Sequence, residues 1–144
     1  MSSATHNNLG GVYYEADRLE DAAAAFRASL ELSPQRYDTR SFLAQVLARL
    51  GRDDEALAEA RAEPDDVFRL LALVVIHEIA GRAAEAEAAL REMTAKHAEN
   101  YPVQVAEAYG ARGQADAAFA WLERALAQGD SGLVHIKPSP HFRR

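Results

Sequence analysis

Apolar and small residues recur along the chain at fixed distances from a turn-like anchor, and that recurrence predicts most of the architecture. The anchor is Asp17 in "DRLEDA", Gly51 in "GRDDEA", Gly81 in "GRAAEA" and Gly113 in "GQADAA", at successive spacings of 34, 30 and 32 residues. Five residues beyond it stand Ala22, Ala56, Ala86 and Ala118; nine beyond stand Phe26, Ala60, Leu90 and Leu122. Eight residues before it come Leu9, Leu43, Leu73 and Val105, seven before it Gly10, Ala44, Val74 and Ala106, and four before it Tyr13, Leu47, His77 and Tyr109. These offsets have a 3.6-residue period on both sides of the anchor, so each unit reads as two amphipathic helices joined by a short turn. Small residues recur where two helix axes come close, and large ones fill the space beside them.

The first unit carries Leu9, Gly10, Tyr13, Ala22, Phe26 and Pro34 at the spacing of a tetratricopeptide repeat, and the chain from residue 3 to about 128 resembles that family. The resemblance implies a single all-α domain over 1–144, a right-handed superhelix. Its repeats fall at about 3–36, 37–66, 67–98 and 99–130, with a C-terminal cap or tail over 131–144. The last unit and tail also resemble the C-terminal repeats of some bacterial adenylate cyclases and of winged-helix or kinase-type regulators. That likeness implies a regulatory or scaffolding setting and no activity.

In this family the first helix of each unit lines a concave face that holds a protein or peptide. Carried over position by position, the partner-facing residues are Asn7 and Tyr14 in the first unit, Gln45 in the second, Phe68, Leu71, Val75 and Glu78 in the third, and Glu107 in the fourth. Gly11, Ser41, Ala48, Val103 and Gly110 occupy equivalent positions. Phe42, Arg49 and Gln104 are close to the same face and complete the expected partner-binding set. The Lys, Arg and Asn set with which some members hold a terminal carboxylate is absent, which favours an internal segment or a helix as the guest.

Two departures modify the repeat. The second unit is four residues short before Pro64; proline removes a backbone donor and drives Glu63 out of helical geometry, so a helix should end near Ala62. Asp65 or Asp66 is placed to cap the next helix, and a local change of twist is expected there. The stretch "DDVFRLLALVVIHEIAG" is apolar almost all the way round, the pattern of a helix that either is buried on all sides or displays a binding or self-association patch. The patch reading puts Phe68, Leu71 and Val75 at the centre of the groove, with a homodimer as the alternative use.

Composition narrows the function classes. The chain has 144 residues, 49% of them hydrophobic, and alanine is the commonest, which suits helices. Its net charge of −6 without a Lys/Arg cluster disfavours nucleic acid and anionic membrane as partners. No cysteine is present, no apolar run approaches a membrane span, and the polar start "MSSATHNNLGG" is unlike a signal peptide, so a cytoplasmic protein is expected. No nucleophile–base set, phosphate loop or dinucleotide fingerprint occurs, and neither an enzyme nor a cofactor is expected. "HEIAG" at His77 lacks the second histidine of a zinc motif, so His77 is read as structural. Glu55, Glu59 and Glu63, four residues apart, are read as a solvated stripe. Leu133 and Ile136 are expected to cover the apolar edge of the last repeat.

Overall fold

The computed structural model describes residues 1–127. Within them the chain is all-α: α1 Ser3–Glu15, α2 Leu19–Leu32, α3 Thr39–Arg49, α4 Asp53–Ala62, α5 Asp66–Ile79, α6 Ala83–His97, α7 Pro102–Ala111 and α8 Ala115–Ala127. Consecutive helices pair into hairpins, α1 with α2, α3 with α4, α5 with α6 and α7 with α8, and each hairpin packs on the next to make a helical-repeat solenoid. The tail over 131–144, with Leu133 and Ile136, lies outside the described residues.

The turn anchors share one backbone conformation. Asp17, Gly51, Gly81 and Gly113 have φ of 62°, 80°, 77° and 74°, the left-handed region that glycine enters without penalty. In each turn the anchor N–H reaches a carbonyl three residues back, and the next N–H reaches one five back. Asp17 N to Tyr14 O is 3.1 Å and Arg18 N to Tyr13 O is 2.9 Å. The same pair recurs at Gly51–Arg52, Gly81–Arg82 and Gly113–Gln114. This double bond ends the first helix of each hairpin and reverses the chain within about three residues.

The small positions lie at the bottom of the core. Ala22, Ala56, Ala86, Ala118, Ala44 and Ala106 are all fully buried. Gly10 packs against the Phe26 ring so closely that an added Cβ would lie 2.6 Å from two ring carbons. Around these contacts Phe26, Leu43, Leu47 and Ile76 form one cluster, and Leu70, Leu71, Val74, Leu90, Met93 and Val105 form a second.

The apolar helix α5 is buried because it has neighbours on all sides: it packs against α3, α4, α6 and α7. Val67, Leu70, Leu71, Val74, Val75 and Ile76 are all 5% exposed or less; Ile79, at 45%, is its one exposed large hydrophobic. The expectation of a broad binding or dimerisation patch on this helix is therefore corrected. Its all-round hydrophobicity answers to four packed neighbours.

Replacing Gly10 by Ala should cost about 1–3 kcal/mol in urea unfolding, because the Phe26 ring has no room to retreat. Gly11→Ala is the control. A Cβ there meets nothing within 4 Å, and its effect should be neutral or stabilising.

Candidate functional site

The residues expected to face a partner all fall on α1, α3, α5 and α7, the first helices of the hairpins. The structure brings several of them into one directional chain of hydrogen bonds. Arg49 Nε donates to Tyr14 Oη at 2.9 Å, and Tyr14 Oη donates to Gln45 Oε1 at 3.1 Å. Gln45 Nε2 then donates to Ser41 Oγ at 3.4 Å, and Ser41 Oγ donates to the Phe68 carbonyl at 2.7 Å. The relay crosses from α1 through α3 to α5. Asn7 adds a second tie, accepting from Thr39 Oγ1 at 2.8 Å.

Burial divides the predicted set. Gln45, Leu71 and Val75 are 1% exposed or less and Tyr14 is 5% exposed, so these four form a floor instead of offering side chains to a guest. For Leu71 and Val75 the sequence expectation is corrected, since the packing that surrounds α5 encloses them. Burial pushes the Tyr14 phenol above its ordinary pKa, although the Arg49 guanidinium, 5.6 Å from the ring centroid, opposes the shift. Arg49 is exposed, and Asn7, Phe42, Phe68, Glu78, Gln104 and Glu107 are partly exposed. Phe42 lies between Phe26 and Phe68 with ring centroids 6.1 Å from each, and Tyr37 meets the far side of Phe68 at 6.1 Å.

Glu78 is not free for a partner. It accepts from Arg112 Nε at 3.2 Å, and the other arm of Arg112 pairs with Glu87, so one guanidinium joins α5 and α6 to the end of α7. Glu107 differs: no described residue donates a hydrogen bond to its carboxyl. Burial raises its pKa to about 7, and the charge of Glu15 across on α1 adds to the shift.

Glu63 departs most from the sequence expectation. Read there as the end of a solvated stripe, it is 1% exposed. Its Oε2 accepts from the backbone N–H of Asp38 and of Asp65, each at 3.1 Å, and its Oε1 accepts from Ser41 N at 3.0 Å. One carboxylate thus caps α3 and holds the α4–α5 junction, where the positive end of a helix favours negative charge. Glu59 pairs with Arg40 at 2.9 Å and Glu55 with Arg27 at 3.7 Å, so the other two stay near the surface. The spacing of the three glutamates is uniform; the sequence sets Glu63 apart only through Pro64, which puts it just beyond the helix end, and that says nothing of what it meets there. Asp38, beside it, adopts φ 67° and makes no side-chain cap; burial raises its pKa to about 7, against the pull of Arg36 and with the push of Glu63. The expected ending of the helix at Ala62 and a cap from Asp65, whose Oδ1 accepts from Val67 N at 3.1 Å, agree with the structure.

Elsewhere the titratable groups serve structure. His77 Nδ1 accepts from Arg82 Nε at 2.8 Å, and Arg82 forms a two-pronged pair with Asp53 at 2.8 and 3.2 Å. Burial and the Arg82 charge lower the His77 pKa, which suits a neutral acceptor. His97 pairs with Asp66 at 2.6 Å and tethers the end of α6 to the start of α5. Among the described residues no group of three or more His, Cys, Asp or Glu could hold a metal ion, and no helix is long and apolar enough to cross a membrane.

Truncating Glu63 to Ala would strand three backbone donors, and should cost about 3 kcal/mol in chemical unfolding. Glu55→Ala, at an exposed position, should stay within about 0.5 kcal/mol of wild type. The raised carboxyl groups set a pH dependence. Glu107 and Asp38 favour their protonated forms when folded, so their contribution is complete below about pH 4 and is lost as pH rises through about 7. Glu107→Gln should therefore match wild type near pH 4.5 and be more stable by about 2 kcal/mol at pH 8. Parallel thermal unfolding curves at both pH values would contradict this.

The sequence model of the tetratricopeptide repeat matches residues 13–73, from within α1 through α2, α3 and α4 into α5. No curated protein matches the chain. With the hairpins and positive-φ turns already described, the match supports reading the chain as a tetratricopeptide-repeat protein.

Proposed function

We propose that this protein is a non-enzymatic interaction scaffold that holds a peptide or helical segment of a partner protein on the face formed by α1, α3, α5 and α7. The observation that carries the reading is the tetratricopeptide match over residues 13–73, a repeat typical of protein-binding modules. A solenoid makes an extended surface held by contacts between neighbouring repeats, and such a surface suits another polypeptide. Phe42, Phe68, Arg49, Gln104 and Glu107 keep solvent-accessible parts on these helices and would contact the guest, over a floor of Tyr14, Gln45, Leu71 and Val75. The mixture of aromatic rings with both signs of charge fits a side-chain-reading groove better than a carboxylate clamp. A regulatory setting, in keeping with the resemblance to cyclase and winged-helix repeat regions, and a cytoplasmic location belong to the same proposal.

Homo-oligomerisation is the alternative use. The burial of α5 removes the patch that suggested it, and the apolar surface left for it on the last described helix centres on Leu126, 70% exposed.

A photo-crosslinking amino acid at Gln104 should capture a partner from the source lysate, while the same group at Ala58, exposed on the second-helix side of the solenoid, should not. Capture from Ala58 with none from Gln104 would assign the binding face to the other side. Light scattering should return the monomer mass for wild type; a concentration-dependent dimer abolished by Leu126→Glu would establish the alternative.

A further inference from the structure

Where the loop after α2 meets the α4–α5 junction, an open cleft of about 480 Å³ is lined by Ser33, Gln35, Arg36, Tyr37, Pro64 and Asp65. A cleft of this size holds a small ligand or a side chain of a guest. Arg36 is the unsatisfied member of the lining: its Nε is buried and has no hydrogen-bond partner among the described residues. A guanidinium is always charged, and a buried donor without an acceptor costs free energy until one is supplied. The neighbouring carboxyls do not supply it. Glu63 is occupied by three backbone N–H groups, and Asp65 Oδ1 accepts from Val67 N at the start of α5. The Asp38 carboxyl feels the Arg36 charge without pairing to it, and its contact is Thr39 Oγ1 at 3.5 Å. Beside Arg36, Tyr37 is 59% exposed, and its ring meets Phe68 at 6.1 Å, which joins the cleft to the aromatic part of the first-helix face.

From this arrangement we infer that the cleft receives an acidic side chain, glutamate or aspartate, of a bound partner polypeptide, with its carboxylate accepting from Arg36 and its aliphatic stem against Tyr37 and Pro64. The inference rests on the scaffold reading for the polypeptide and adds a residue type that the guest must carry beside the groove. The chemistry of the lining favours this occupant. A planar guanidinium matches a carboxylate in geometry and offers it two parallel N–H donors. Ser33, Gln35 and Tyr37 add side chains that are able to donate. Asp65 places one negative charge in the same lining, which a singly charged carboxylate tolerates better than a doubly charged phosphate does. The Tyr37 ring and Pro64 supply apolar surface for methylene groups. Through the Tyr37–Phe68 contact the cleft is continuous with the face formed by α1, α3, α5 and α7, so a segment crossing that face would place one side chain here.

The readout is the Nε–H magnetic resonance signal of Arg36 in the isotopically labelled full chain, assigned through its own backbone amide. Titration with glutamate capped by acetyl and methylamide groups should move it saturably, with a Kd of about 1 mM for a ligand of that size. Capped glutamine should bind about tenfold more weakly, because it lacks the charge that Arg36 pairs with. Inorganic phosphate at equal concentration should move the signal less than the capped glutamate. Arg36→Lys, followed at the Tyr37 amide, should lose the response. Asp65→Asn keeps an oxygen to cap α5 and removes the charge, so it should strengthen glutamate binding several-fold, a gain that damage to the fold would not produce. An Arg36 signal unmoved by glutamate, an equal response to capped glutamine, or a larger response to phosphate would each overturn the inference. If it fails while Gln104 still crosslinks a partner, the scaffold reading stands. If glutamate binds as expected while Gln104 captures nothing, the cleft remains a carboxylate site and the groove assignment is what falls.

Discussion

The close approach of paired helices at alanine and glycine positions is the constraint on which the rest depends. Ala22, Ala56, Ala86 and Ala118 are fully buried on the second helices of the four hairpins, and Gly10 on α1 meets the Phe26 ring of α2 with no room for a methyl group. Close crossing makes the hairpin narrow, and a narrow hairpin needs a turn that reverses the chain at once. The left-handed residue at each anchor supplies it, through two backbone hydrogen bonds that also satisfy the last carbonyls of the first helix. Asp17 takes that conformation without being glycine, which an aspartate tolerates better than most side chains.

Between hairpins the contacts change character. α1 and α3 touch little directly, and polar bonds bridge them: the relay from Arg49 through Tyr14, Gln45 and Ser41 to Phe68, and the Asn7–Thr39 bond. Every member of the relay can both be satisfied and satisfy the next, which is what allows Gln45 and Ser41 to be fully buried. At the shortened second unit Glu63 has the same part. The first N–H groups of α3 have no partner within that helix, and a single carboxylate accepts from two donors there, Asp38 and Ser41, and from Asp65 at the α4–α5 junction.

The face formed by the first helices is therefore partly used up by the fold itself. Tyr14, Gln45 and Glu78 engage the neighbouring repeat or Arg112, while Phe42, Phe68, Gln104 and Glu107 keep partly exposed side chains and Arg49 an exposed one. On the proposed reading, a guest docked on this face would also bear on the spacing of α1, α3, α5 and α7.

What the sequence determined by itself is the periodic part. Helix pairs, anchor turns, small-residue crossings, the stop at Ala62 and the Asp65 cap all follow from interactions within one hairpin, where sequence distance and spatial distance are locked together by the 3.6-residue period. Only the tertiary structure decided the burial of Leu71 and Val75, the capping role of Glu63 and the bridging of Glu78 and Glu87 by Arg112. Each of these depends on which groups from another hairpin arrive at the same place. Glu55, Glu59 and Glu63 share one spacing, yet the third alone is enclosed, because backbone donors 22 and 25 residues earlier come to lie beside it. Periodicity specifies which face of a helix turns inward; the number of neighbours that meet that face is set when the repeats stack.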